Sequence, residues 1–193
     1  MSEARGMVWL VNRLRCMSVA EVGYRIRQAA VTRVAKRLRA RAAPPLPRAR
    51  TFNLHGPLAV PPAERDALLA DADSICAGHV VLFANRRFDV GMPPVWNRDP
   101  DSGVVGPSIY AGDIAITNRE QVGDIKHVWE LNRHLHLVRL AQAWTCTSDV
   151  AWLHALHAQL RSWLDQCPPL VGPNWTSSLE LGIRLINWAL VWQ

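Results

Sequence analysis

Apolar and polar positions follow a helical period over much of the chain, most clearly in residues 126–144, KHVWELNRHLHLVRLAQAW. At about 100° per residue, its branched apolar residues share one arc: Val128, Leu131, Leu135 and Val138. A nearly opposite arc holds Trp129, Arg133 and His136, with Asn132 at its edge. We expect one continuous helix with a core face and a second face rich in polar and aromatic groups.

The polar and aromatic face of this segment has the composition of a sugar-binding surface. An indole can stack on a pyranose ring, and amide, imidazole and guanidinium groups can donate to hydroxyls or a carboxylate. The alternative interpretation is a helix buried on both sides, whose polar groups are satisfied within the protein. The segment alone does not distinguish these two interpretations.

The first half of the chain contains a helix, a linker and a short strand region. Ser18 has the position of an N-cap, with Glu21 as its capping-box partner, and an Arg-rich helix should follow to about Arg41. Prolines make residues 43–62 a linker. A short helix should occupy 62–77, and 79–90 should form strands with a turn at Asn85 and Arg86. We expect a loop over 92–106 and irregular structure over 109–124.

Two further helices should follow the segment 126–144. The first has Ser148 as its N-cap, ends before Pro168, and carries one predicted core face: Val150, Leu153, His157, Leu160 and Leu164. The second begins near Ser177. Similar lengths and short connections favour a mainly α fold of stacked helical hairpins. We divide the chain into a basic helical arm (1–45), a linker, helix and strand region (46–125), and a helical region (126–193).

The C-terminal helix carries apolar residues on several sides and has no stop signal: Leu181, Ile183, Leu185, Ile186 and Leu190. It ends at Gln193 without Gly, Pro or a basic last turn. We therefore expect the sequence to end within a domain.

Charge is concentrated in the N-terminal arm. Residues 1–50 hold 12 of the 22 Lys and Arg residues but two of the 16 acidic residues, so this arm is +10 and the remainder is −4. A solvated basic face, weak association with an anionic surface and nucleic-acid binding all stay open. Nucleic acid is the least favoured partner because no groove-reading motif accompanies the charge.

Several classes of chemistry have no signature in the sequence. The four cysteines are widely spaced, without zinc spacing, and no phosphate loop, dinucleotide fingerprint or nucleophile elbow is present. We therefore predict no metal and no cofactor. The apolar run at residues 7–11 is too short for a secretory signal and is followed by Arg13 and Arg15, which leaves the location of the protein open.

Two loops and the last helix supply further polar groups. Glu180, Arg184 and Asn187 share a helix face, and Glu180 is correctly placed for an ion pair with Arg184. Asn174 and Trp175 precede that helix, where backbone N–H groups favour an anion such as a uronate. In the loop 96–100, WNRDP, an indole again accompanies an amide and a guanidinium, and Asp99 could hold Arg98.

The order VWNRDP, KHVWELNRHLH and PPLVGPNWTSSLELGIRLINW resembles the heparinase II/III-like polysaccharide lyases. SVAEVGYRIRQ and RRFDVG are similar to the N-terminal region of that family. The resemblance is strongest from Trp96 to Trp188. It implies an incomplete (α/α) toroid, which in the family precedes a β-sandwich domain.

The resemblance also implies β-elimination on acidic polysaccharides such as heparan sulfate, alginate or exopolysaccharides. In the family, the Asn-His pair that neutralises the uronate carboxylate and the proton-transferring Tyr and His follow the GxNW motif. Tyr24 and Tyr110 do not stand in a matching context, so no catalytic residue is predicted here. The residues expected to bind substrate, as one wall of the cleft, are Trp129, Asn132, Arg133, His136, Asn174, Trp175, Glu180 and Arg184.

Three functional hypotheses follow from the sequence. The first is the N-terminal portion of such a lyase, inactive alone, with an acidic polysaccharide and the rest of the same protein (toroid and β-sandwich) as partners. The second is a non-catalytic helical module that binds acidic glycans. The third is a helical protein that acts through its basic arm on a membrane or nucleic acid.

Overall fold

A computed structural model describes residues 12–13, 16–38 and 60–192, which fall into two compact units, Met1–Pro47 and Arg48–Gln193. Helix α1, Val19–Leu38, is the main element of the first unit. The Glu21 backbone N–H donates to Ser18 Oγ at 3.2 Å, which confirms the predicted N-cap. The Glu21 carboxylate does not complete the capping box but accepts from Arg25, 3.0 Å away.

The second unit is mainly helical, as predicted. Its helices are α2 (Pro62–Cys76), α3 (Arg119–Val122), α4 (Ile125–Asn132), α5 (Leu135–Thr147), α6 (Val150–Gln166) and α7 (Ser178–Val191). Strands β1 (His79–Leu82) and β2 (Arg86–Asp89) pair antiparallel, with His79 opposite Asp89. Short 3₁₀ turns occupy Ala111–Asp113 and Pro173–Trp175. None of the helices in these described ranges is long and apolar enough to cross a membrane.

The prediction of one continuous helix over 126–144 is wrong. The chain leaves α4 at Asn132, and His134 takes a left-handed conformation with φ 62° before α5 begins. Histidine adopts this conformation more readily than most residues, and its buried imidazole packs between three indoles. The break shifts the helical phase, so Leu135, predicted to lie in the core, is 59% exposed, whereas Leu137 and Leu140 are buried.

The core of the second unit forms where α5 packs against α2, α6 and α7. Its largest fully buried members are Trp96, Trp163, Leu131, Leu137 and Leu140. Residues 60–125 take part in this core, because Ala72 and Ile75 of α2 and Val80, Leu82 and Phe88 of the hairpin belong to the same cluster. The hairpin and loops before residue 126 therefore pack directly on the helices that follow.

Helix α6 differs from the prediction in its cap and in its core face. Ser148 is the left-handed end of α5, and Asp149 is the N-cap, accepting from the Ala151 N–H at 2.9 Å. The buried face consists of Leu156, Gln159 and Trp163. Members of the predicted face are exposed, including Val150, His157 and Leu164. The apolar pattern did not predict this buried face, because the residue at its centre, Gln159, is polar.

We predict that Asp149→Ala lowers the free energy of unfolding by about 1 kcal/mol, because α6 loses its cap. Ser148→Ala is the matched control, since it changes the neighbouring residue without removing a cap bond and should change stability by less than about 0.5 kcal/mol. Urea denaturation measures both. A larger loss in Ser148→Ala than in Asp149→Ala would contradict the observed cap.

Candidate functional site

The three segments that carry the family resemblance meet around Asn132. This residue is fully buried at the end of α4. Its Nδ2 donates to the carbonyls of Trp96 and Val128, each at 2.7 Å, and its Oδ1 accepts from Trp163 Nε1 at 2.8 Å. The side chain therefore joins the loop at residue 96 to α4 and α6. We call this centre and the buried groups bonded to it the polar layer: Trp96, Asn97, Asn132, Trp163, Asn174 and Arg184.

Arg184 of α7 completes the polar layer from the other side. Its Nε donates to the Asn132 carbonyl at 2.7 Å and its Nη2 to the Asn174 carbonyl at 3.3 Å. The guanidinium carbon lies 4.6 Å from the centre of the Trp163 ring. Burial lowers the pKa of Arg184 to about 10, so the group is charged at neutral pH. The expected ion pair with Glu180 is replaced by these two backbone contacts.

Asn174 ties the GPNW loop into the same layer. Its Nδ2 donates to Asn97 Oδ1 at 2.8 Å and lies 3.1 Å from Cys167 Sγ. Burial raises the pKa of the Cys167 thiol to about 11, which keeps it protonated and unreactive at neutral pH. Gly172 has φ 85°, and a Cβ there would lie 3.2 Å from the Asn97 amide. Glycine is thus required where the loop passes Asn97.

Arg133 lies at the edge of the polar layer, between two carboxylates. It donates from Nε and Nη2 to Glu180 at 2.7 and 3.0 Å, and from Nη1 to Glu130. The Glu180 hydrogen bonds raise the pKa of Arg133. One cation and two carboxylates carry a net charge of −1, so this group is poorly suited to attract a uronate carboxylate. Its evident effect is to fix α7 to α4.

Two partly exposed tryptophans flank the GPNW loop. Trp129 Nε1 donates to the Pro173 carbonyl and to Thr176 Oγ1, both at 3.2 Å. Trp175 Nε1 donates to the Cys167 carbonyl at 3.2 Å. The Trp129 N–H therefore ties α4 to the loop, and the Trp175 N–H ties the loop to the end of α6. What remains available to a ligand is the exposed part of each side chain.

His134, which is buried, and His136, which is partly exposed, form a second group beside the polar layer. His136 stacks on Trp96 and lies 3.1 Å from Gln159 Oε1. It does not share a surface with Trp129 and Arg133, because the break at His134 turns it inward. His134 Nδ1 accepts from Trp188 Nε1 at 2.8 Å. Burial lowers the pKa of His136 to about 4 and that of His134 well below its ordinary value.

An Asp-His pair that we did not predict joins the loop 97–102 to α4. Asp99 is 1% exposed and accepts from Ser102 at 2.6 Å, the Asp124 N–H at 2.8 Å and His127 Nδ1 at 2.9 Å. Burial favours a higher pKa for Asp99, but these hydrogen bonds outweigh it and lower the pKa. Arg98 instead donates to the Val90 carbonyl at 3.3 Å. In the sequence, the one signal for the buried Asp99 is its spacing from Ser102, D-x-x-S, which is typical of a turn in which the aspartate accepts hydrogen bonds.

All eight predicted substrate-binding residues thus lie in or beside one hydrogen-bonded region. Four of them are buried within it: Asn132, Asn174, Glu180 and Arg184. Trp129, Arg133, His136 and Trp175 keep partial exposure at its edge, and His136 also stacks on Trp96. Among the described residues, no group of three or more His, Cys, Asp or Glu could hold a metal ion. The hydrogen bonds of this region position the loops at residues 96–99 and 172–176. Its partly exposed residues, which include Trp129 and Trp175, form a rim around the buried groups.

Comparisons with protein families, with curated proteins and with solved structures found no match to this chain.

We predict that the protein loses stability as the pH falls from about 6.5 to about 4. Unfolded His136 titrates near its ordinary pKa of about 6.5, whereas folded His136 titrates at about 4. The unfolded chain therefore binds a proton first, and stability present above about pH 6.5 declines, with His136 contributing roughly 3 kcal/mol. His134, whose pKa is lowered as well, adds to the decline in the same direction. Urea titrations across this range measure the slope. His136→Gln should reduce the slope and leave the part that His134 contributes, and an unchanged slope in that variant would contradict the assignment.

We predict that Asn132→Leu, which keeps the branching and the number of heavy atoms of the side chain, lowers the free energy of unfolding by about 3 kcal/mol. The substitution leaves the Trp163 indole N–H buried without its partner. It also removes the short hydrogen bond to the Trp96 carbonyl, which keeps only a 3.5 Å contact from Asn174 Nδ2. Asn118→Ala is the control, because this exposed N-cap of α3 accepts from the Glu120 N–H at 3.0 Å and should cost about 1 kcal/mol. Equal losses in chemical denaturation would contradict a central role for Asn132.

Proposed function

We propose that this chain is the N-terminal helical part of a polysaccharide lyase that cleaves uronate-containing acidic polysaccharides by β-elimination. The observation that carries the proposal is the meeting of three sequence-distant motif segments in the polar layer. The Asn132 side chain contacts the Trp96 carbonyl at 2.7 Å, and Arg184 contacts the carbonyls of Asn132 and Asn174. Motifs of a common scaffold are expected to interact in this way.

The packing of the last helices supports the further proposal that they begin an (α/α) toroid. Helix α5 packs on both α6 and α7, and the connection from α5 to α6 is two residues long, Ser148 and Asp149. Short connections between neighbouring helices build hairpins that can continue into a ring. The coarse fold is mainly α, and the ring is part of the proposal.

β-Elimination requires three events at a uronate. A base removes the C5 proton, hydrogen bonds to the carboxylate stabilise the enolate-like intermediate, and the C4–O bond breaks with protonation of the departing oxygen. The residues of this chain that match the family motifs do none of these. Arg133 is committed to Glu130 and Glu180, and Asn132 and Asn174 are buried. We assign proton transfer to other residues of the full protein.

The role that we assign to this chain is to hold the loops at 96–99 and 172–176 beside the cleft. The partly exposed rings of Trp129 and Trp175 supply a stacking surface at the rim. The acidic character of the Arg133 group favours contacts with sugar hydroxyls over contacts with carboxylates at that point. The remaining acceptor atoms of Glu130 can take such hydroxyl donors.

The test is to titrate the purified chain with alginate, heparan sulfate and neutral dextran by calorimetry. Unsaturated uronates are followed in parallel by their ultraviolet absorbance. We expect saturable binding to a uronate polymer, weaker binding to dextran and no elimination. Both polymers offer hydroxyls to the rim, but only the uronate offers a carboxylate to the N-terminus of α7, which has no side-chain cap. Trp129→Ala should weaken binding about tenfold, whereas Trp144→Ala, which removes an exposed indole of α5, should leave affinity unchanged.

Each alternative result has a defined meaning. Turnover by this chain would contradict the assignment of proton transfer to other residues. If the chain binds dextran as tightly as alginate, the proposal that its substrate is a uronate-containing polysaccharide is contradicted. If the complete gene product also binds uronates without eliminating them, the chain belongs to a non-catalytic acidic-glycan-binding protein.

A further inference from the structure

Helix α1 of the first unit carries large apolar side chains that are exposed to solvent. Val19 is 91% exposed, Ile26 66%, Val31 59% and Val34 53%. Apolar residues at helical spacing usually face a core. Several exposed apolar side chains on one helix therefore indicate a surface that binds an apolar partner.

The same helix is strongly basic. Between Val19 and Leu38 the sequence has five Lys and Arg residues and one acidic residue, Glu21. Glu21 is paired with Arg25 at 3.0 Å, while Arg27 and Arg33 are exposed. Residues 1–50 carry +10 and the remaining residues −4. An anionic surface would thus attract this arm in preference to the rest of the chain.

The apolar and basic residues of α1 lie close together on the helix surface and partly interleave. Val22, Ile26, Ala30 and Val34 are each four residues apart and span an arc of about 120°. Arg27 borders one end of this arc, and Arg33 falls inside it. A long arginine stem can lie along apolar surface while its guanidinium reaches a polar layer. The arrangement has the form of a helix that lies in a bilayer interface.

We propose that α1 docks on an anionic lipid bilayer, with its apolar stripe toward the acyl chains and its arginines against lipid phosphates. A second copy of α1 is a poor occupant because two arms of +10 would repel one another. Duplex nucleic acid would neutralise the charge but leave Ile26 and Val34 in water. A bilayer with acidic headgroups satisfies both features with one surface, and the helix lies along that surface without crossing it.

The expected attachment is weak and reversible. One short apolar stripe with a basic patch gives marginal membrane affinity, and each Lys or Arg near an anionic surface raises the partition coefficient about fivefold. The full chain should therefore bind vesicles that contain phosphatidylserine, fail to bind phosphatidylcholine vesicles, and dissociate as salt is raised toward about 1 M.

The test is vesicle flotation with the full chain and three double variants. Ile26→Ser with Val34→Ser removes the stripe and should lower partitioning about tenfold. Arg27→Gln with Arg33→Gln should lower it roughly twentyfold. Val105→Ser with Arg119→Gln is the matched control, because both side chains are exposed in the second unit, and it should bind as the wild type does. Circular dichroism checks that α1 stays helical.

Four results would overturn the proposal. One is the absence of binding to phosphatidylserine vesicles. A second is full binding by the stripe variant, which would indicate simple charge adsorption. A third is loss of vesicle binding in the control. The fourth is a competition result in which duplex DNA or alginate displaces the wild-type chain from vesicles and the stripe variant binds the same polymer as tightly as the wild type does. The partner would then be an anionic polymer.

Discussion

A guanidinium that is shielded from water must find its partners within the protein, because an unpaired buried charge is costly. Arg184 is 2% exposed, and the partners it finds are two backbone carbonyls, at Asn132 and Asn174. These carbonyls belong to the end of α4 and to the loop before α7. The three segments must therefore come together in one arrangement, and the side chains of Asn132 and Asn174 then extend the same network to Trp96 and Asn97.

This constraint explains the unusual orientation of α7. Its buried residues are Glu180, Arg184 and Asn187, whereas Leu185, Ile186 and Leu190 are exposed. Burial of a polar face is favourable only when each group is paired. Glu180 is paired with Arg133, and Asn187 donates to the Arg133 carbonyl at 2.8 Å. The polar contacts thus determine which side of α7 faces inward, against its apolar pattern.

The sequence predicts most of the helices, the hairpin and the N-cap at Ser18 because each depends on local chemistry. It does not predict the short helix α3, which lies in the region expected to be irregular. It also predicts that the motif residues cluster, although their bonding was not foreseen. The break at His134 escaped prediction because no Gly or Pro marks it and tertiary packing on three indoles holds it. The core face of α6 escaped because Gln159 is polar. The family, the uronate substrate and the roles at the cleft stay predictions, since they depend on a resemblance that no comparison tests.

The most direct test of the scaffold is hydrogen exchange in Arg184→Met, which keeps an apolar stem but removes both carbonyl contacts. Arg184 holds the end of α4 and the loop before α7, and Asn132 and Asn174 connect both to residues 96 and 97. Amide protection should therefore fall together in residues 96–99, at the end of α4 and in residues 172–176, while β1 and β2 keep theirs. Loss of protection confined to α7 would contradict the account, because it would show that the loops are held without Arg184.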